Sequence, residues 1–265
     1  MTRRRLDAEL VRRGLAPSRD AAREAIRSGT VAVEGVPAAK PARMVGADTP
    51  LTVAGEVRPY VSRGGEKLRA GLTQMEVDVT DARCLDAGAS TGGFTDCLLQ
   101  AGAARVVAVD VGYGQLDWRL RNDPRVAVME RTNVRSLTAD LLPYAPDVVV
   151  ADLSFISLRA VAATLVGLSA PSARLVVLVK PQFEAGRGDV GRGGVVRDPA
   201  TWRRVLVDVA ETFAALGAPA QAAMASPLVG PAGNVEFLLL ARRGATRAPL
   251  DIDAVVRDGE GVAHR

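Results

Sequence analysis

Histidine and cysteine are almost missing from this 265-residue chain: His264 stands alone near its end, and Cys84 and Cys97 are the two thiols. So few soft ligands argue against a His/Cys metal site, and two cysteines build no disulfide framework. A metal-free protein of a reducing, cytoplasmic compartment is predicted. Long apolar runs are absent too. None approaches the ~18 residues of a membrane span, and the first residues are basic and periodic, without the apolar stretch of a signal peptide. The chain is also poor in lysine: of its 34 basic residues only Lys40, Lys67 and Lys180 are lysines, the rest being arginine. Arginine stays protonated in proteins, whereas a lysine that is buried or set beside another cation can release its proton. A chain that uses arginine wherever charge suffices marks its three lysines as candidates for chemistry.

What is present is a 48% hydrophobic content, enough for one large domain and a small one. The net charge of +4 is unevenly placed, because residues 1–62 hold 11 Lys and Arg against 7 Asp and Glu, while residues 63–265 hold 23 of each. Such a concentrated surplus suits a polyanionic partner. Within this first quarter Leu6, Leu10, Val11 and Leu15 recur at helical spacing, with Gly14 as a stop. Ser18 is placed to cap a second helix through Ile26 that ends at Gly29 and carries Arg19, Arg23 and Arg27 on one side. Strands are predicted at Val31–Val33 and Leu51–Val53, with turn-like Glu34-Gly35-Val36-Pro37 after the first. The stretch RLDAELVRRGLAPSRDAAREAIRSGTVAVEG resembles the S4 RNA-binding module, a small α+β domain. That resemblance implies RNA contact through Arg3, Arg5, Arg19 and Lys40.

After a joint at Arg58-Pro59-Tyr60-Val61, a helix near Gly65 carries Lys67. From residue 83 apolar strands alternate with helices. Strands are predicted at 83–87, 105–109, 126–129, 147–151, 175–179, 219–224 and 235–241, and helices from about Gly93, Leu116 and Leu158 and across 200–216. This order predicts an α/β fold whose largely parallel sheet is covered on both faces. The stretch from Gly244 to Arg265 loses the pattern and reads as a polar tail. The predicted division is residues 1–57, a linker at 58–64, a large domain at 65–243 and the tail at 244–265.

The loop Gly88-Ala89-Ser90-Thr91-Gly92-Gly93-Phe94 follows a strand and opens a helix, as nucleotide-binding loops do. Its spacing departs from G-x-G-x-x-G, which favours a nucleoside cofactor without pyrophosphate over NAD. Asp110, at the end of the next strand, is placed to accept both hydroxyls of an adenosine ribose, with Val111 beside it; capping of a following helix is the competing role. Asn133 falls near the adenine, although an Asn in a loop is commonly a turn residue.

LDAGASTGGFT, DVGYGQL, ADLSFISL, VKPQFE and GNVEF, in that order, resemble the TlyA family, also called haemolysin A, and more distantly the FtsJ rRNA methyltransferases. The resemblance spans residues 3 to about 242. It implies a Rossmann-like, seven-stranded class I methyltransferase domain that binds S-adenosylmethionine, and an antiparallel last strand. It also implies a catalytic tetrad of Lys67, Asp152, Lys180 and Glu236 for 2′-O-methylation, with cytidine of ribosomal RNA as target. The chemistry suits the residue types: a direct displacement needs an aligned nucleophile and removal of a proton from a weakly acidic alcohol, and a lysine near a second ammonium can take that proton.

Around this set, Arg63 and Arg131 are candidates for contacts at the target nucleotide. Phe155 either stacks on a displaced base or packs in the core. Residues 184–198, with Arg187, Arg192 and Arg197, form either a lid over RNA or an ordinary loop. Tyr60 replaces a common Trp of the family and Pro17 a common basic residue. The leading expectation is a monomeric rRNA (cytidine-2′-O)-methyltransferase acting on small-subunit RNA, large-subunit RNA or both, away from membranes. A non-catalytic ribosome-assembly factor and a membrane-active haemolysin are the alternatives. Base methylation is less suited, since the fourth strand is followed by Asp152-Leu-Ser-Phe155 in place of Asn/Asp-Pro-Pro-aromatic.

Overall fold

A computed structural model describes residues 3–16, 18–46, 48–54, 59–186, 188–191 and 193–263. The chain divides into two compact units, Met1–Pro59 and Tyr60–Arg265.

In the first unit β1 (Arg4–Arg5) leads straight into α1 (Leu6–Arg12), and α2 (Arg19–Arg27) follows. Ser18 Oγ accepts from Ala21 N at 3.1 Å, the cap that the sequence predicts. The chain continues through β2 (Val31–Val33), β3 (Val36–Pro37), β4 (Met44–Val45) and β5 (Leu51–Val53). β2 lies between β3 and β5, and β1 pairs with β4 in a separate two-stranded ribbon. The turn-like Glu34-Gly35 is the tip of the β2–β3 hairpin, with φ of 55° and 80°. These are the paired positive values that a tight hairpin turn requires. Leu6, Leu10, Ala22, Ile26, Val31, Val33, Ala38 and Val45 form its core. The four positions on α1 and α2 recur at the helical spacing of one buried stripe.

In the second unit α3 (Arg63–Gln74) precedes a seven-stranded sheet. Its elements are β6 (Arg83–Ala87), α4 (Gly93–Gln100), β7 (Arg105–Val109), α5 (Trp118–Arg121), β8 (Val126–Met129), β9 (Val148–Ala151), α6 (Ala162–Leu168), β10 (Arg174–Val179), α7 (Pro181–Glu184), α8 (Pro199–Ala215), β11 (Ala220–Ala225), β12 (Phe237–Arg242) and α9 (Ile252–Ala263). The strand order is β11-β12-β10-β9-β6-β7-β8, with β12 antiparallel to both neighbours and the remaining registers parallel. The antiparallel last strand is therefore as expected. Strand order reverses between β6 and β9, and in open α/β sheets the crevice at such a reversal is where ligands bind.

Period-two alternation sorts the strand side chains onto two faces. Cys84, Val106, Ala108, Val148, Val150, Val176, Leu178, Leu238 and Leu240 pack with Leu68, Leu72, Phe94 and Leu98 of α3 and α4. Their odd-numbered neighbours pack with Leu165 of α6, Leu206 and Phe213 of α8, and Val255 and Val256 of α9.

The predicted polar tail is corrected here, since residues 252–263 are helical and bury Val255 and Val256. Ile252, Val255, Val256 and Gly259 stand at the i, i+3, i+4, i+7 spacing of an amphipathic helix. The polar, proline-containing stretch before them masks it. The helix predicted near Leu116 begins later, at Trp118, because Asp117 caps it through Arg119 N.

Candidate active site

Six strands of this sheet end on one edge, and β12 starts there. Asp110 follows Val109, Asp152 follows Ala151, Lys180 follows Val179 and Glu236 precedes Phe237. Val179 pairs with Phe237 in the last step of the β10–β12 ladder, so Lys180 and Glu236 occupy the next step of the same register. All four residues carry even numbers, like the strand residues that face α3 and α4. Continued alternation sends them toward that side of the sheet.

Lys67 reaches the group from α3. A Cβ at Gly71 would lie 2.9 Å from Leu238 Cδ1, so the helix backbone rests against β12 at that point. Four helical residues rise about 6 Å and two strand residues about 6.6 Å, so Lys67 and Gly71 match Glu236 and Leu238. Lys67 Nζ donates to Glu236 Oε2 at 2.5 Å, with the residues 6% and 1% exposed. Two buried opposite charges are tolerable only as a pair.

The second amine has its own acid. Lys180 Nζ lies 2.6 Å from Asp152 Oδ1 and donates to Ser154 Oγ at 3.0 Å. The approach to Asp152 is an ion contact, and no aligned hydrogen bond reaches that oxygen. Beyond it the segments after β9 and β10 stay joined. The Phe155 and Phe183 ring centroids are 5.3 Å apart. The buried Glu184 carboxylate accepts from Ser157 Oγ at 2.5 Å and Leu158 N at 2.6 Å, with Arg159 Nε 3.5 Å away. Sequence reading passed over Ser154 and Glu184, although a Glu inside an apolar motif was a usable signal. Phe155 is 92% exposed with φ of 63°, which removes the core-packing alternative.

The glycine loop turns at Gly88, whose φ is 87° and whose Cβ, if present, would lie 2.5 Å from Asp152 O. The loop therefore sits directly against the segment that carries Asp152. Ala89, Gly92, Gly93 and Phe94 are buried, Thr91 is half-buried and Ser90 is exposed. Asp110 accepts from Ser90 N at 2.8 Å and Gly112 N at 2.6 Å, which ties the carboxylate to the loop instead of capping a helix. Asp86, beneath the loop, is fully buried; Oδ2 accepts from Thr95 Oγ1 at 2.7 Å and Oδ1 is unpartnered. Burial pushes its carboxyl up to about 7 against the opposing hydrogen bond from Thr95. An orphan acceptor, a strand-end carboxylate and a helix start with no side-chain cap at Gly92 fit a nucleoside with a charged amino-acid tail, as S-adenosylmethionine has.

Val111 is 68% exposed beside Asp110. Asn133 accepts from Arg135 N at 3.0 Å, so its side-chain oxygen serves the turn that the sequence allowed for. Thr132 N, one residue earlier, donates to Asp110 O at 2.9 Å. Arg63 is exposed at the start of α3, where a cation opposes the helix dipole and adds nothing to the helix. Arg131 is exposed with φ of 53°, its guanidinium 4.2 Å from the Tyr113 ring centroid.

In the first unit Arg3 and Lys40 are exposed, while Arg5 and Arg19 converge on Asp7. Arg187 and Arg192 of the loop, Pro17 and Arg58 of the joints, and His264 lie outside the described residues. In the same loop Asp189 pairs with Arg204 of α8 at 2.7 Å, and Val196 N donates to Asn234 Oδ1, ahead of β12, at 2.9 Å. Among the described residues no group of His, Cys, Asp and Glu is arranged to hold a metal ion, and no helix is long and apolar enough to cross a membrane.

Comparison with known proteins matches the FtsJ-like methyltransferase family over residues 60–243 and the S4 domain over residues 4–49. The 16S/23S rRNA (cytidine-2′-O)-methyltransferase TlyA of Mycobacterium tuberculosis is 55% identical over 93% of this chain and 92% of its own length. Hemolysin A of Brachyspira hyodysenteriae is 38% identical over 88% and 98%. The solved structure of a proposed hemolysin from Streptococcus thermophilus superposes with a TM-score of 0.76 at 37% identity, covering 99% of this chain and 97% of that one.

Proposed function

The chain belongs to the TlyA family of FtsJ-like methyltransferases, and from that premise we propose that it methylates a cytidine ribose 2′-hydroxyl in ribosomal RNA, with S-adenosylmethionine as donor. One observation carries the reading: both lysines of the large unit are paired with carboxylates, and Lys180 and Glu236 each stand one residue beyond the Val179–Phe237 pair of one strand register.

S-adenosylmethionine, when bound, supplies a methyl group on a positively charged sulfur that an oxygen can displace. The glycine loop and Asp110 hold the nucleoside, and the Asp86 acceptor with the start of α4 takes its amino-acid end. A 2′-hydroxyl attacks well only as its proton leaves. Lys180 first releases its own ammonium proton to solvent, then takes the hydroxyl proton on Nζ, and Asp152 Oδ1 at 2.6 Å pairs with the ammonium re-formed. Ser154 Oγ, 3.0 Å from Nζ, fixes the direction of the amine. Lys67, held by Glu236, donates to the oxygen while negative charge grows on it. Arginine cannot replace Lys180 in the proton step, because its guanidinium keeps its charge.

The S4 match supports RNA contact through Arg3, Arg5, Arg19 and Lys40, and Arg63 and Arg131 serve the target strand. The exposed, strained Phe155 suits stacking on a displaced base. The protein acts as a monomer in the cytoplasm, where ribosomes are. The M. tuberculosis relative is named for both 16S and 23S rRNA, so both subunits are the substrates to try.

The test incubates purified protein with radiolabelled S-adenosylmethionine and unmodified ribosomal subunits, then maps the label. Label on a cytidine 2′-oxygen is expected, and Lys180→Arg should bind the cofactor while losing most turnover. Label on a base, or none on any ribosomal substrate, removes the reading. RNA binding without transfer would instead favour an assembly factor.

A further inference from the structure

In the first unit three arginines converge on one buried carboxylate. Asp7, the second residue of α1, is fully buried. Arg5 donates to it through Nε at 3.0 Å and Nη2 at 2.9 Å, and Arg23 Nε donates to Oδ2 at 3.3 Å. Arg19 Nη2 lies 3.5 Å from Oδ1. Arg5 arrives from the end of β1, whereas Arg19 and Arg23 stand one turn apart on α2. Their side chains remain 43%, 52% and 38% exposed, so Arg5 and Arg23 are held by hydrogen bonds and Arg19 by charge while all three keep surface open to solvent.

Three like charges this close repel one another, and each sits on a long side chain with many rotamers. A shared anion beneath them holds all three in one geometry. Hydrogen bonds from Arg5, outweighing the cost of burial, keep the Asp7 carboxyl down at about 2, so the anion is present throughout the physiological range. A neighbouring acid provides a contrast. Asp20 is 92% exposed and accepts from Arg23 Nη1 at 3.0 Å, at the rim of the same cluster.

We propose that Asp7 is a positioning residue for RNA binding: it preassembles Arg5, Arg19 and Arg23 into one cationic cluster that fits the sugar–phosphate backbone, and so raises RNA affinity despite its negative charge. This rests on the reading of the first unit as an RNA-binding module, and it adds Arg23 to the contacts. A bidentate guanidinium fork recognises phosphate best when its orientation is fixed in advance.

The sign of the effect separates this from charge counting. Removing any acid near bound RNA should tighten binding and steepen its dependence on salt. Affinity of the full chain for unmodified ribosomal RNA is measured across salt concentrations for Asp7→Asn and Asp20→Asn, which change charge equally. Asp20→Asn is expected to bind as well as the parent or better, and Asp7→Asn about five- to tenfold more weakly. Asp7→Asn is then made in an Arg5→Gln, Arg19→Gln, Arg23→Gln background. There it should change affinity by less than about twofold, because no cluster remains to be held. Asp7→Asn binding as tightly as the parent overturns the proposal. So does an equal loss in the triple-Gln background, which would mean that the substitution damages the module at large. If the triple-Gln protein itself binds like the parent, the RNA-binding reading of the unit fails instead.

Discussion

Lys67 Nζ donates to Glu236 Oε2 across 2.5 Å, although 169 residues of chain separate the two and both are shut away from water. Replacing one partner leaves the other charge buried without compensation. Lys67→Met should lower stability by roughly 3–5 kcal/mol, and combining it with Glu236→Gln should recover most of that loss. Neither protein should transfer methyl groups. Urea unfolding checks the first statement and the transfer assay the second; a single variant as stable as the parent would show the pair to be solvated.

Phe155 holds φ at 63° with its ring 92% exposed. Glycine adopts that conformation without strain, so Phe155→Gly should stabilise the fold by about 1 kcal/mol. Turnover on RNA should drop at least about tenfold with cofactor affinity unchanged, if the ring stacks on a base worth ~1–3 kcal/mol. Phe155→Trp should keep much of the activity. A destabilised glycine variant, or one with full turnover, contradicts this.

Glu184 ties the segment that begins at Asp152 to the one that begins at Lys180. Glu184→Ala removes charge-assisted bonds worth roughly 1.5–3 kcal/mol each and frees Leu158 N and Ser157 Oγ. The expected result is a lower kcat with little change in KM for S-adenosylmethionine, and partial rescue in Glu184→Gln. Equal loss in both variants would point to general damage to the fold.

Asp86 makes stability depend on pH. Its carboxyl, raised to about 7 by burial, keeps a proton that the unfolded chain loses near pH 4. Stability therefore falls as pH rises from about 4 to about 7 and then levels off. Asp86→Asn should gain a few kcal/mol on the parent at pH 8 and almost nothing at pH 4, by a rough conversion of the shift. In the first unit Asp7 and Glu9 are held down at about 2, mainly by hydrogen bonds from Arg5 and Arg12. What they contribute is present above about pH 4 and lost as pH falls toward 2. Thermal melts from pH 2 to 8 read both trends, and a parent and Asp86→Asn that track each other throughout would dismiss the first.

Much of the site was legible because its signals are local. The strands Arg83–Ala87, Arg105–Val109 and Val126–Met129 are bounded as their apolar runs suggest, and the glycine loop lies where a strand gives way to a helix. Lys67 and Lys180 stood out because every other basic residue among the Lys and Arg of the large unit is arginine. Glu184 and Asp7 were passed over for the opposite reason. An acid draws notice by its partners, and Arg19 and Arg23 reach Asp7 only once α1 and α2 pack together. Phe155 stayed ambiguous because an aromatic between apolar residues suits a core as well as a stack; its exposure decides between them.

The order of residues alone determined which groups can do chemistry and which strand end carries each, since alternation of apolar runs with turns is written along the chain. Which side of the sheet those groups face was decided only by the assembled fold. Strands buried on both faces are apolar at odd and even positions alike, and nothing in their composition tells one face from the other. The register Val179 to Phe237, and the contact of Gly71 with Leu238, bring two lysines and two acids together. That convergence comes from cross-strand and helix–sheet packing between residues far apart in the chain.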